Sequence, residues 1–205
     1  LLSVAVSAAY GIINVSYNVT EIEKYVDFIN LMTYDFHIFS PYWPFTGFNA
    51  PLYKRQKEVY FLQYLNTNWS ANYWVDLGMG KDKIMVGIPT YGRGFQLADA
   101  NHTGPDSAAI SSDRDFTFSQ VCELLSNRST HQQFDDEAKV PYLYNGLLWV
   151  SYDDVRSVET KANWIKDNNY GGSMTFSLNA DDFNHRCDKN SKFVLHSVIK
   201  KILGN

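Results

Sequence analysis

A carboxylate, a guanidinium and several aromatic rings lie at or near the ends of apolar segments. Tyr34 and Asp35 directly follow one such segment, Tyr91 and Arg93 follow another, and Phe176 lies within a third. A carboxylate accepts hydrogen bonds from hydroxyl groups, a guanidinium presents a planar fork of donors, and aromatic rings stack on flat ligands or sugar rings. These residues predict either a polar cleft with an aromatic floor or a structural Asp35–Arg93 ion pair beside core aromatic rings.

The segments that carry these residues read as strands that alternate with helices. Buried strands are predicted over Leu2–Ala8, Phe28–Met32, Lys83–Ile88 and Ser173–Leu178. Such βα units form a parallel sheet, and the carboxyl ends of its strands form the ligand site. We therefore expect an α/β fold that brings the candidate residues together at one edge. Four parallel strands fit either an open sheet or half of an eight-stranded barrel.

Capping residues and apolar spacing predict the helices. The expected helices are Glu21–Tyr25 after Asn18, Ala71–Leu77 between a Ser70 cap and Gly78, one with Val155, Val158, Ala162 and Ile165 on a single face, and a last helix capped by Ser191. Residues 95–140 are polar and only weakly periodic, and Asn145-Gly146 predicts a hairpin between Tyr142–Tyr144 and Leu147–Ser151. A loop of this size is expected to be an inserted subdomain.

The composition is that of an ordinary globular protein. The chain has 205 residues, 22 acidic against 18 Lys and Arg, a net charge of −4, and 45% hydrophobic and 16% aromatic residues. The mild negative charge without basic runs argues against nucleic acid and membrane surfaces as partners. The five His are scattered without paired ligand spacing, so no metal and no cofactor is expected.

Four segments taken together resemble the glycoside hydrolase family 18 chitinases. They are Phe28–His37, Asn49–Tyr53, Gly87–Arg93 and Gly171–Phe183. They occur in the family's order over essentially the whole chain. The resemblance implies the C-terminal half of a TIM (β/α)8 barrel, strands five to eight, with an α+β insertion subdomain between strand seven and helix seven. It divides the chain into barrel units five to seven at 1–94, the insertion at 95–150, and the closing units at 151–205.

The resemblance also implies a reaction and a partner. The family hydrolyses β-1,4-N-acetylglucosamine linkages in chitin or chito-oligosaccharides by a retaining mechanism in which the acetamido oxygen of the substrate attacks the anomeric carbon. Tyr34 would orient that acetamido group, and Asp35 would bind the sugar at or next to the cleavage point. Arg93 would bind substrate hydroxyls or carbonyls, and Met32 and Tyr91 would shape the pocket wall.

Two departures from the family pattern leave alternatives open. The family's Asp-x-x-Asp-x-Asp-x-Glu block, which carries the general acid, does not occur in this sequence. We expect it upstream in a longer parent protein, so that this segment alone is inactive and its first strand is an unpaired edge. Phe176 stands where the family usually has Trp, which predicts a weaker sugar site, a variant lineage or a non-catalytic chitinase-like lectin. Trp43, in the loop 37–46, stacks on a sugar or simply packs within the loop.

Cysteines and glycosylation sequons indicate the compartment. Cys122 and Cys187 alone leave open a bridge or two reduced buried thiols. Because related chitinases join these positions, the resemblance implies a disulfide. Sequons for N-glycosylation occur at Asn14, Asn18, Asn68, Asn101 and Asn127. We expect the parent protein to be a secreted, monomeric glycoprotein.

Overall fold

A computed structural model describes residues 1–204 and contains two β-sheets. The strands of the first sheet are β1 (Ser3–Ser7), β2 (Phe28–Met32), β3 (Ile84–Pro89) and β9 (Gly172–Phe176), in the order β1-β2-β3-β9. Every neighbouring pair in this sheet is parallel. The predicted α/β organisation with four parallel strands is therefore confirmed, and the carboxyl ends of the strands meet at one edge.

Helices connect these strands, and two of their predicted caps are wrong. The helices outside the second sheet are α1 (Tyr10–Ser16), α2 (Val19–Tyr25), α3 (Thr67–Asp76), α5 (Val155–Asp167) and α6 (Val194–Leu203). The side chain of Asn66 caps α3, whereas the buried hydroxyl of Ser70 donates to the carbonyl of Ala8 at 2.8 Å. Ser191 does not cap α6 either: Phe193 holds that position, and the carboxylate of Asp181 accepts from the backbone N–H groups of Leu195 and His196 in the first turn.

The end of β9 also differs from its prediction. The strand stops at Phe176, and Leu178–Ala180 forms a short 3-10 helix instead of continuing the strand. The Phe176–Ser177 peptide bond is cis. Phe176 is the last residue of β9 and pairs with Pro89 of β3, so it lies at the carboxyl edge of the sheet.

The second sheet is antiparallel and lies between β3 and α5 in the chain. Its strands are β4 (Tyr91–Leu97), β5 (Ala109–Thr117), β6 (His131–Asp135), β7 (Val140–Asn145) and β8 (Leu148–Ser151), in the order β5-β4-β8-β7-β6, and α4 (Phe118–Ser126) follows β5. The predicted hairpin is confirmed, and Gly146 occupies its turn with φ +59. The region 95–140 is less irregular than predicted, because β5 and β6 are largely exposed and carry little hydrophobic alternation. The boundary predicted between residues 94 and 95 falls inside β4.

The buried apolar residues form two clusters, and the larger one joins the sheets because it also contains Leu143 and Val150 of the second sheet. Ile29, Leu31 and Val86 of the parallel sheet are fully buried and belong to the larger cluster. Phe95 and Trp149 of the second sheet centre the smaller one. Burial of large side chains at roughly 1.5–3 kcal/mol each holds both sheets rigid enough to position residues at their edges.

Candidate functional site

A cavity of about 420 Å³ opens at the carboxyl ends of β2 and β9 and beside the start of β4. Six of the predicted site residues line it: Met32, Tyr34, Asp35, Tyr91, Arg93 and Phe176. They come from two sheets, because Tyr91 and Arg93 lie on β4 and the others follow or end strands of the parallel sheet. The fold thus brings together residues that are up to 144 positions apart in the sequence.

Arg93 is held between two carboxylates at the cavity wall. Its Nε and Nη2 lie 2.9 and 2.7 Å from Oδ1 of Asp35, and its Nη1 lies 2.8 and 2.7 Å from the two oxygens of Asp115. The hydroxyl of Tyr91 donates to the same Asp35 oxygen at 2.5 Å. The Asp35–Arg93 ion pair left open by the sequence is therefore present. It lines a cavity, and the guanidinium fork is engaged by Asp35 and Asp115 instead of standing open.

The backbone of Asp35 is fixed by a residue that the site prediction missed. Asp35 adopts a left-handed conformation with φ +61, which short polar side chains tolerate better than most others. Its N–H donates to Oδ1 of Asn49 at 2.9 Å, and the N–H of Asn49 donates to the hydroxyl of Ser151 at 2.8 Å. Asn49 is 1% exposed. The sequence signal that could have identified Asn49 was its place at the start of Asn49–Tyr53, one of the segments that resemble the family. A buried amide needs specific hydrogen-bond partners, which here are Asp35 and Ser151.

Tyr34 presents a neutral phenol to the cavity. Burial, followed by the charge of Asp35, raises the pKa of Tyr34 to about 12, so the hydroxyl keeps its proton at neutral pH. Within residues 1–204 its hydroxyl contacts only a weak acceptor, Sδ of Met174 at 3.9 Å. A side chain at Gly87 would place its Cβ 3.0 Å from the Tyr34 ring and 2.5 Å from a backbone oxygen, so glycine is required beneath this ring. Tyr34 is thus a positioned donor without a strong partner in the structure.

The protonation of Tyr91 and Arg93 follows from burial and from Asp35. Burial and the hydrogen bond to Asp35 raise the pKa of Tyr91 far above its ordinary value. For Arg93, burial lowers the pKa, but the bond and charge of Asp35 outweigh it and the net shift is upward. At neutral pH the wall therefore presents two phenols and one guanidinium.

Three aromatic rings surround the space in front of the charged groups. The ring of Phe176 lies 6.0 Å from that of Tyr34 and 6.2 Å from that of Tyr91, between centroids. Phe176 is 56% exposed, so one part of its surface faces the cavity. Trp43 does not line this cavity: it lies edge-on against Phe45 and Phe61, 5.5 Å from each.

The remaining predicted features lie away from the cavity. The disulfide between Cys122 and Cys187 is present and joins α4 to the segment after β9. Four sequon asparagines, at 14, 18, 101 and 127, are exposed. Asn68 is only half-exposed, and the hydroxyl of its sequon residue, Ser70, is buried in a hydrogen bond.

Residues 1–204 contain neither a membrane-spanning helix nor a metal-binding cluster. No helix in this range has the length and apolar character needed to cross a membrane. No group of three or more His, Cys, Asp or Glu in the same residues is arranged to hold a metal ion.

The fold and the cavity define an α/β protein with a polar and aromatic cleft at the strand ends. Residues 1–181 match the family described as glycosyl hydrolases family 18, and the chain belongs to this family. The family resemblance found in the sequence is thereby confirmed.

Known proteins similar to this chain include chitinases and chitinase-like proteins. The human Chitinase-3-like protein 2 is 36% identical over 213 residues, which are 100% of this chain and 54% of the human one. The structure of an immunomodulatory active chitinase from Trichuris suis superposes with a TM-score of 0.94 at 39% identity, covering 100% of this chain and 58% of that one. Human YKL-39, described as a pseudo-chitinase with retained chitooligosaccharide binding properties, gives 0.93 at 34% identity, with 100% and 58% covered. The chain thus spans a little over half of these three relatives.

Proposed function

We propose that this chain forms part of the substrate cleft of a chitinase that hydrolyses β-1,4-N-acetylglucosamine linkages. The observation that carries the proposal is the shared cavity, in which Tyr34, Asp35, Tyr91, Arg93 and Phe176 face one space. An N-acetylated sugar offers an acetamido group, hydroxyls and an apolar ring face. The cavity offers a phenolic donor, a carboxylate with a guanidinium, and an aromatic floor, which match those groups.

The chemical role of this wall is to position the acetamido group of the substrate. In the substrate-assisted reaction the acetamido oxygen attacks the anomeric carbon, and positive charge develops on the resulting ring. Tyr34 is fixed at the end of β2 and keeps its proton, so it can donate to this group without reorganisation. Asp35, held by Asn49 and Arg93, provides an anion beside it. The general acid belongs to the Asp-x-x-Asp-x-Asp-x-Glu block, which this sequence lacks.

The arrangement of the two sheets supports a barrel segment with an insertion. The four parallel strands correspond to barrel strands five to eight, and β4 to β8 form a subdomain inserted between β3 and α5. A complete barrel has eight strands and typically about 250 residues. In the proposed whole protein, β1 and β9, the two edges of the sheet, pair with further strands.

Replacing Tyr34 by Phe tests this role in the full-length protein. The variant keeps the ring and removes the donor. We expect turnover of a chito-oligosaccharide to fall by about 10² to 10³-fold, the cost of losing one donor to a transition state, with little change in oligosaccharide binding. Tyr17→Phe is the matched control, because the Tyr17 hydroxyl accepts from the N–H of Ser7 and Tyr17 does not line the cavity. Unchanged turnover in Tyr34→Phe would refute the role.

A second candidate function is a chitinase-like lectin that binds the oligosaccharide without cutting it. Phe176 favours it, because a phenyl ring offers less stacking area than the indole usual in the family. The residue at the Glu position of the family's catalytic block, in the full-length sequence, distinguishes the two. Glu with measurable hydrolysis supports the enzyme. Another residue there, with retained binding of chitotetraose, supports the lectin.

Secretion and glycosylation belong to the same proposal. The Cys122–Cys187 bridge favours an oxidising compartment, and exposed sequons at Asn14, Asn18, Asn101 and Asn127 are available to glycans. We expect no glycan on Asn68, because the hydroxyl of Ser70 is buried against Ala8. Mass spectrometry of glycopeptides from the secreted protein checks both statements.

A further inference from the structure

Thr90 is the one residue between β3 and β4, and it touches the backbone that carries the aromatic floor. It is 1% exposed and joins the strand that ends at Pro89 to the strand that starts at Tyr91. Its N–H donates to the carbonyl of Phe176 at 3.0 Å, and its hydroxyl donates to the carbonyl of Ser177 at 2.6 Å. Thr90 therefore holds two consecutive carbonyl groups at the end of β9.

Within residues 1–204, little side-chain packing fixes the ring of Phe176, which forms the floor. Phe176 is 56% exposed, and its nearest aromatic neighbours, Tyr34 and Tyr91, lie about 6 Å away between centroids. A ring with so few contacts depends on its backbone for its position. Beyond Phe176 the strand has ended, so β3 no longer provides ladder hydrogen bonds to hold Ser177.

Thr90 also connects the Phe176 floor to the cavity wall that contains Tyr91 and Arg93. The carbonyl of Thr90 accepts from the N–H of Phe118 at the start of α4, and Tyr91, which bonds Asp35, is its direct neighbour in sequence. A hydroxyl that donates across 87 positions thus joins the floor to the strand that carries the charged wall.

We infer that Thr90 is a positioning residue for sugar binding: its hydroxyl holds the backbone that carries the Phe176 ring. This rests on the proposed function, in which Phe176 is the floor beneath a sugar. Thr90 does not touch the ligand space itself: it is absent from the cavity lining and is nearly fully buried. Loss of the Thr90 hydroxyl leaves the Ser177 carbonyl without this donor. The backbone segment that carries the Phe176 ring is then less firmly held.

The test is a mutant cycle on chitotetraose affinity, measured by calorimetry in the full-length protein. Thr90→Val keeps the shape and the backbone N–H but removes the hydroxyl, and we expect the Kd to rise about three- to tenfold, as for one lost hydrogen bond. Thr90→Ser keeps the donor and should rescue the wild-type Kd. In a Phe176→Ala background, Thr90→Val should cause no further rise, because the group it positions is gone.

A matched control and a second variant separate positioning from general stability. Ser157→Ala removes another buried hydroxyl, which bonds Asp153 and does not line the cavity, and should lower the Tm without changing the Kd. Thr90→Ala replaces Thr90→Val where the latter does not fold. An unchanged Kd in the Thr90 variants, or an equal rise in the Phe176→Ala background, overturns the inference. An unchanged Kd in Phe176→Ala alone overturns the proposed floor instead.

Discussion

Two clusters in this molecule use the same chemistry, one arginine between two carboxylates, in different surroundings. The cleft cluster consists of Asp35, Arg93 and Asp115. The loop cluster consists of Arg55, Glu58 and Asp106. Both arginines form hydrogen bonds of 2.7 to 2.9 Å with both of their partners. Hydrogen-bond geometry alone therefore does not separate a site from a structural support.

Burial and free space do separate them. The side chain of Arg55 is 3% exposed and that of Glu58 5%, whereas Arg93 is 22% and Asp115 53% exposed. The cleft cluster lines a cavity of about 420 Å³ whose other walls are aromatic. The loop cluster instead ties the loop before α3 to Asp106 in the connection between β4 and β5. A ligand can reach the cleft cluster through the cavity, while Arg55 and Glu58 of the loop cluster are enclosed by protein and only Asp106, 42% exposed, faces solvent.

The largest expected effect is on stability, from Arg55→Met in the loop cluster. The variant removes the cation and leaves Glu58 buried without it, and breaking a buried pair in this way costs about 3–5 kcal/mol. We expect the free energy of unfolding, from urea titration of the full-length protein, to fall by that amount. The Kd for chitotetraose of the folded fraction should stay unchanged.

The control for that variant is Lys24→Met. Lys24 pairs with Glu21 at 2.6 Å, but both side chains are at least half exposed. Such a surface pair contributes about 0–1 kcal/mol, so this variant should unfold almost like the wild type. A loss in Arg55→Met no larger than in Lys24→Met would show that the buried cluster does not support the loop.

The next largest expected effect is that of Arg93→Met in the cleft cluster. Arg93→Met removes charged hydrogen bonds at a partly exposed site, which lowers the free energy of unfolding by about 1.5–3 kcal/mol. We expect the Kd for chitotetraose to rise at least tenfold, because Asp35 loses the partner that orients it. Calorimetry on the folded variant gives this value. A stability loss with an unchanged Kd would show that the Asp35–Arg93 ion pair is structural and does not support sugar binding.

The sequence predicted the parallel strands and the residues at their ends because both depend on local patterns. Phe28–Met32 is apolar except for Asn30, and its prediction agrees with β2 residue for residue. The weakly periodic region was not resolved into elements, since β5 buries only Ala109 and Phe116 along its nine residues. An edge strand with so few buried positions has no apolar alternation to detect.

Contacts between distant segments could not be predicted in the same way. Asp115 closes the guanidinium of Arg93, but it lies in the region without a clear pattern, and its approach depends on the antiparallel pairing of β4 with β5. The predicted Ser70 and Ser191 caps failed for a related reason. Asn66 caps α3, and the side chain of Asp181 accepts from the N–H of Leu195 in α6. Asp181 lies 14 positions before Leu195, so the local sequence around α6 gives no sign of this bond.

The smallest expected effect concerns the pH dependence of the loop cluster. Burial raises the pKa of Asp106, but hydrogen bonds from Arg55 and Lys57 lower it more, and the net pKa lies below its ordinary value of 3.8. A carboxyl group with a lowered pKa in the folded state stabilises the fold above pH 3.8. That contribution is lost as the pH falls from 3.8 through the folded-state pKa.

Asp106→Asn tests this contribution directly. The Asp106 side chain is 42% exposed, so solvent screens the pair and the loss at pH 7 should be at most about 1 kcal/mol. Urea unfolding of wild type and variant between pH 7 and pH 3 should show a constant difference above about pH 5 that shrinks as Asp106 becomes protonated in the wild type. Asp115→Asn, in the exposed arm of the cleft cluster, is the matched comparison and should change the Kd for chitotetraose more than the stability. Equal stability effects of the two variants at every pH would mean that burial does not distinguish the clusters.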